Sequence, residues 1–297
     1  MYMLNRDEQL TFPDLMRGYE DGIWKTYEIY IFHLYVLLKV AQYAEKDAEI
    51  RSAKLLPSDE DKVFSPRLYT NPCTQSLANN VDFLKVVQQY QANEDLDDDQ
   101  IRRMYQAFIE TEAYQQYMAL EEPTEKEHAK ILIDLYRFLT NNDLFIEMTE
   151  DRYNNWQDDE SLVVGAMKKS LKAMPVEGDF YKDFQPSDET VQEFGEQLLR
   201  KTCQEDQALF EIIAPNLKNW DADRVAVLDM IMLKMALCEL LHFPTIPTKV
   251  TLNEYVEISK SYSTENSKDF INGILDRLMK KLTKEEKIQK EGRGLME

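Results

Sequence analysis

The sequence predicts an all-α fold, and three observations carry that prediction. Only 8 Gly and 10 Pro occur in 297 residues, fewer than the turns of a doubly wound sheet or a β-sandwich demand. Leu, Glu, Lys and Gln, all good helix formers, are abundant. Apolar residues recur at helical spacing in segment after segment. With 43% hydrophobic and 30% charged residues, the chain has the make-up of a globular protein with a substantial core. Its length suits one large domain or two small ones.

The elements follow in order. Residues 1–13 are short and polar. A helix is predicted over 14–49, where Leu15, Tyr19, Ile23, Tyr27, Tyr30, Leu34, Leu38 and Tyr43 keep near-helical spacing; Gly18 and Gly22 blur its start. Residues 54–73 hold three prolines and read as a long loop. Leu77, Val81, Leu84 and Val87 make one stripe of a helix over 74–91. The acidic stretch 93–99 is expected to be exposed, with Asp97 or Asp98 capping a helix over 100–119. Thr124 and Glu127 have capping-box spacing ahead of a helix over 125–140. Helices over 143–153 and 160–174 follow, then an aromatic-bearing loop over 175–186. Ser187 with Thr190 opens a helix to residue 203. Further helices are predicted over 204–214, 222–241, 252–261 and 265–282, and the last fifteen residues are charged and expected to fray. Phe145 before Asn155-Trp156-Gln157-Asp158 is echoed by Phe210 before Asn219-Trp220-Asp221-Ala222. The echo reads either as two helix starts, each with an aromatic staple beside an Asx cap, or as an old duplication.

Charge and composition narrow the function. Against 35 Lys+Arg stand 55 Asp+Glu, a formal −20. Such a field repels nucleic acid and anionic membrane unless the charge is unevenly placed. It is: residues 218–297 hold 13 basic and 13 acidic residues, whereas residues 1–217 hold 22 and 42. Three sparse cysteines, Cys73, Cys203 and Cys238, make no disulfide framework and suggest a reducing compartment. No apolar signal segment opens the chain, and the longest apolar stretch, 225–241, carries Asp229, Lys234 and Glu239, which argues against a membrane span. A cytoplasmic location is expected. His33, His128 and His242 are far apart and read as surface or half-buried helix residues, not metal ligands. There is no phosphate-binding glycine loop and no nucleophile elbow. Acidic runs such as 95–99 read as solvated faces. No enzyme activity, cofactor or metal is expected.

The informative segment is 221–282. Within 225–241 the three charges are five residues apart, a rotation of about 140° each, so they fall on different sides of a helix that is otherwise apolar all round and should be central. Phe243-Pro244-Thr245-Ile246-Pro247 is a rigid connector. Apolar Val250, Leu252, Val256 and Ile258 then interleave with polar Asn253, Glu254, Glu257 and Lys260, and Thr264 and Ser267 are possible caps. Gly273 costs about 1 kcal/mol in a helix interior relative to Ala, so something should approach the backbone there; close helix packing is the favoured explanation.

Four blocks in this segment resemble the NusB family of transcription antitermination factors. They are Leu233-Lys234-Met235-Ala236-Leu237-Cys238-Glu239-Leu240-Leu241, Ile246-Pro247-Thr248-Lys249-Val250-Thr251-Leu252-Asn253-Glu254, Glu257-Ile258-Ser259-Lys260-Ser261-Tyr262 and Phe270-Ile271-Asn272-Gly273-Ile274-Leu275-Asp276. The clear resemblance covers residues 191–282, and a weaker one the aromatic helix near the start. The long chain looks like the Bacteroidetes-type members. The resemblance implies a two-subdomain helical bundle with a large insertion: an N-terminal helical part over 1–53, an acidic helical insertion over 54–186, a C-terminal helical subdomain over 187–282 and a charged tail over 283–297. It implies binding of boxA-type single-stranded RNA together with ribosomal protein NusE, inside the RNA polymerase antitermination complex that promotes rRNA operon transcription.

Carried over residue by residue, the resemblance makes Lys249 a phosphate contact, with Lys260 and Lys268 extending the patch. Tyr262 and Phe270 are candidates for base stacking, although core packing suits Phe270 better. Asn253 and Asn272 would bind base edges; the competing reading makes them, with Glu254, buried braces of the connector. Family members open with an arginine-rich first helix, whose end Tyr2 resembles, while its basic turns have no counterpart here. Their loss would lower RNA affinity, flatten its salt dependence and leave an exposed apolar groove. A helical protein-interaction scaffold that has lost RNA binding is therefore the alternative function.

Overall fold

The computed structural model describes residues 11–94, 96–217, 225–264 and 266–295. The readings at Met1 and Tyr2, at Asp95, and at Asn219, Trp220, Asp221 and Ala222 lie outside the described residues. Every regular element among the described residues is helical, so the predicted all-α class holds. The chain divides into two compact units, one of residues 21–186, the other of residues up to Glu20 with those from Ser187 onward.

The 21–186 unit is built round the first helix, α1 (Phe12–Ser52). From Tyr27 to Ala44 this helix is buried on nearly every side, because its sequence there is apolar all round. Apolar burial alone leaves such a helix free to rotate and slide. Polar pins fix it: Tyr30 hydroxyl to Ser170 Oγ (2.7 Å), His33 Nδ1 to Tyr136 hydroxyl (2.9 Å), Thr26 Oγ1 to Asp159 (2.6 Å) and Tyr105 hydroxyl to Asp47 (3.1 Å). His33 is fully buried, against the expectation of a surface or half-buried histidine, and so is most of His128. Both face tyrosine hydroxyls, His128 Nδ1 lying 2.8 Å from Tyr117. That satisfies one ring nitrogen in an apolar setting.

Three predicted segments differ in the structure: one loop contains helices, and two helices break where polar side chains compete for the backbone. The expected loop over 54–73 contains α2 (Asp59–Val63), α3 (Arg67–Thr70) and the start of α4 (Pro72–Ala78). Its prolines open helices rather than prevent them: Pro66 precedes α3 and Pro72 is the first residue of α4. The expected helix over 74–91 stops at Asn79, and Asn80 caps α5 (Val81–Gln89) by accepting from Phe83 N–H at 2.9 Å. The helix expected over 100–119 is α6 (Asp98–Ile109) and α7 (Glu112–Met118), because Thr111 Oγ1 donates to Phe108 and accepts from Tyr114 N–H. The Thr124–Glu127 capping box forms in full at the head of α8 (Glu125–Leu139). α9 (Asp143–Arg152) follows, and α10 (Trp156–Lys172) starts four residues earlier than predicted, with Trp156 buried against the His33 ring.

The other unit opens with a widened helical turn over Glu189–Glu196 that runs into α11 (Gln197–Gln204), followed by α12 (Asp206–Ile213). The widened turn frees Val191 carbonyl, which accepts from Tyr19 hydroxyl at 2.9 Å. Gly195 lies beneath that tyrosine; a Cβ there would stand 1.8 Å from the hydroxyl oxygen. The core is carried by α13 (Val227–His242), α14 (Thr248–Tyr262) and α15 (Ser267–Lys284). Leu233, Ala236, Leu237 and Cys238 of α13 are completely buried.

Candidate nucleic-acid interface

The three charges of α13 explain how the candidate site is held. Asp229, buried in the first turn, accepts hydrogen bonds from Ser263 and Ser267, which fixes the turn between α14 and α15. Lys234 reaches Asp206 at the head of α12 (2.6 Å). Glu239, also buried, accepts from Thr251 Oγ1 of α14 (2.7 Å). Each charge thus addresses a different neighbour, as their rotation of about 140° requires. Burial pushes the Glu239 carboxyl above its usual range, and the hydroxyls of Thr251 and Tyr255 pull it part of the way back.

On α14, Thr251, Tyr255 and Ser259 form the buried stripe. Lys249, Asn253 and Lys260 are exposed. Spaced by four and seven residues, they stay within about 40° of one another round the helix and span about 16 Å along it. The structure therefore places these three predicted residues on one solvent-facing stripe. Asn253, Glu254 and Asn272 are all exposed, which overturns the reading of them as buried braces. Lys249 sits in the first helical turn and pairs with no carboxylate among the described residues. The preceding Pro247 supplies no side-chain cap, so the N-terminal amides and the ammonium group together suit an anion. Lys260 is paired with Glu257 at 2.6 Å, an exposed pair weak enough to exchange for phosphate.

Lys268 and Asn272, one turn apart on α15, form a second exposed stripe. Tyr262 and Phe270 do not join either stripe. Tyr262, 46% exposed, is turned about 160° round α14 from Lys260. Phe270 is half-buried and packs against the core. Gly273 corrects the packing explanation: it is exposed, and among the described residues nothing beyond its own stretch of helix comes within 4 Å of where its Cβ would lie. Sequence reasoning missed the supporting roles of Asp229, Thr251, Ser263 and Ser267. The signals available were a carboxylate in the first turn of an apolar helix and two serines four residues apart, and nothing marked Thr251.

Among the described residues no three His, Cys, Asp or Glu side chains are grouped to hold a metal ion. No helix there is long and apolar enough to cross a membrane.

An all-α unit whose central apolar helix carries polar pins to its neighbours, two of them presenting lysines to solvent, defines the class: a helical module with an exposed lysine-bearing face. The NusB family pattern matches residues 166–280. The transcription antitermination protein NusB of Salinibacter ruber is 38% identical over 109 residues, covering 37% of this chain and 68% of that protein. The corresponding protein of Methylacidiphilum infernorum is 43% identical over 102 residues, 34% of this chain and 71% of its own length. That of Chloroherpeton thalassium is 33% identical over 111 residues, 37% of this chain and 53% of its own length. The chain belongs to the NusB family. No solved structure matches it.

Proposed function

We propose that the chain is a transcription antitermination factor that binds boxA-type single-stranded RNA together with ribosomal protein NusE. It would act in the cytoplasm, within the RNA polymerase antitermination complex on rRNA operons, without catalysis or cofactor. The observation that carries the proposal is the exposed Lys249–Asn253–Lys260 stripe on α14, in the part of the chain whose net charge is zero. Lysines there would hold backbone phosphate, and Asn253, with Asn272 on α15, would read base edges. Lys268 would extend the phosphate track. Tyr262, exposed but turned away from the lysine stripe, and half-buried Phe270 would stack bases only where the strand leaves that stripe.

The −20 charge favours a second reading, a protein-interaction scaffold that has lost RNA binding. Binding of the purified chain to labelled boxA RNA, with and without NusE and at two salt concentrations, separates the two. The RNA reading expects salt-sensitive binding strengthened by NusE. It also expects Lys249→Ala to weaken RNA binding roughly fivefold, about 1 kcal/mol, and to flatten the salt slope by about 0.7, with NusE affinity within about twofold. NusE binding without RNA binding supports the scaffold; an unchanged RNA affinity in Lys249→Ala removes that residue from the site.

A further inference from the structure

Residues 288–295, within the tail expected to fray, are docked. Ile288 packs against the core of α13–α15. The α13 helix ends at His242, leaving carbonyls that need partners. Lys290 Nζ donates to Phe243 carbonyl (2.9 Å), and Glu291 N–H donates to Pro244 carbonyl (3.0 Å). A short helical turn, Gly292–Leu295, follows, closed by Gly294 N–H donating to Glu291 carbonyl (2.9 Å).

Two glycines make this docking possible, each for its own reason. Gly292 has φ +54°, the left-handed region that side chains resist. Gly294 is buried against the connector; a Cβ on it would lie 1.9 Å from Pro244 carbonyl oxygen and 3.0 Å from its carbon, backbone atoms with no room to yield. Between them Arg293 is exposed and pairs with no carboxylate among the described residues. The turn is seated on Pro244, at the head of the connector that delivers Lys249 three residues beyond Ile246.

We infer that the Gly292-Arg293-Gly294 turn is a latch that fixes Arg293 on the connector as a further phosphate-binding residue for the RNA held by α14. The inference rests on the proposed RNA-binding function. A tethered, unpaired guanidinium can hold a phosphate through two parallel N–H donors, and docking the turn removes the ordering cost that a loose tail would incur on binding. Lys290 and Gly294 position it without touching RNA.

The test uses the full chain with NusE and boxA-type RNA, by fluorescence anisotropy at two salt concentrations. Arg293→Ala is expected to weaken RNA binding roughly fivefold and to lower the salt slope by about 0.7, one phosphate contact on a single strand. Gly294→Ala, which unseats the turn, should lose about as much, and the double variant no more than either alone. Hydrogen exchange in the absence of RNA reads the latch independently: residues 288–295 should be protected in the parent and in Arg293→Ala, and unprotected in Gly294→Ala. RNA binding by the parent with an unaltered Arg293→Ala overturns the inference while leaving the proposed function standing. Additive losses, or an unprotected tail in the parent, overturn the latch. A parent that binds no RNA removes both.

Discussion

Two glycines in the same unit make opposite demands at the scale of the residue. Gly294 is enclosed by backbone, and a methyl group there has nowhere to go. Gly273 lies inside α15 with open space where its Cβ would be. A helical glycine spends backbone entropy that alanine would save, about 1 kcal/mol. Gly273→Ala should therefore stabilise the isolated protein by about 0.5–1 kcal/mol in urea unfolding. A destabilised variant would show that the space is filled in solution. The sequence marks Gly273 as unusual but points to the wrong cause, because helix–helix packing and an open face both tolerate glycine and differ only in what lies opposite. It says nothing of Gly294, since a glycine in a charged tail is indistinguishable from any other until Pro244 is seen against it.

At the scale of the element, α13 is tied to α14 through buried Glu239, which faces the hydroxyls of Thr251 and Tyr255. Glu239 is buried and accepts from Thr251, with the Tyr255 hydroxyl as a second partner, so removing the Thr251 hydroxyl leaves a buried carboxylate with one donor fewer. Thr251→Val should cost about 2 kcal/mol at pH 7. Because burial raises the Glu239 carboxyl, the cost should be smaller at pH 5 than at pH 7, the direction in which the buried charge is relieved. Chemical unfolding at both pH values measures this; an equal cost at the two would mean that Thr251 acts by packing alone. The same element shows what periodicity can and cannot disclose. Five-residue spacing of Asp229, Lys234 and Glu239 makes α13 central and sends the charges three ways. It does not say that a serine pair, an aspartate and a threonine wait at the far ends. Helix breaks were illegible for a related reason. Asn80 and Thr111 sit inside continuous apolar stripes, and only their side-chain bonds to Phe83 and Tyr114 turn one helix into two. The lysine stripe of α14 is legible only as separate residues: the predicted helix over 252–261 leaves Lys249 outside, and the shared face appears because the helix begins at Thr248.

At the scale of the whole molecule, the two units should respond to acid in opposite senses. In the 21–186 unit, His33 is buried between Tyr136 and Thr149, with the rings of Phe145 and Trp156 close by, and burial holds its pKa down at about 3. A histidine depressed in the folded state adds stability above its unfolded pKa of about 6.5, and that stability drains away as pH falls towards 3. By pH 5 the unfolded chain's gain of a proton should cost this unit about 2 kcal/mol. His128, lowered mainly by burial, pulls the same way; Glu28, raised by burial, opposes it. In the other unit the buried Glu239 carboxyl is raised in the folded state, so its contribution improves as pH falls through its folded pKa towards the ordinary carboxylate range. Hydrogen exchange at pH 7 and 5, corrected for intrinsic rates, should show protection falling more for residues 27–44 than for 231–240. His33→Gln should flatten that fall while leaving 231–240 unaltered. An equal loss in both segments, or a fall that survives His33→Gln, would mean that the buried histidine does not set the acid response and that the two units unfold as one.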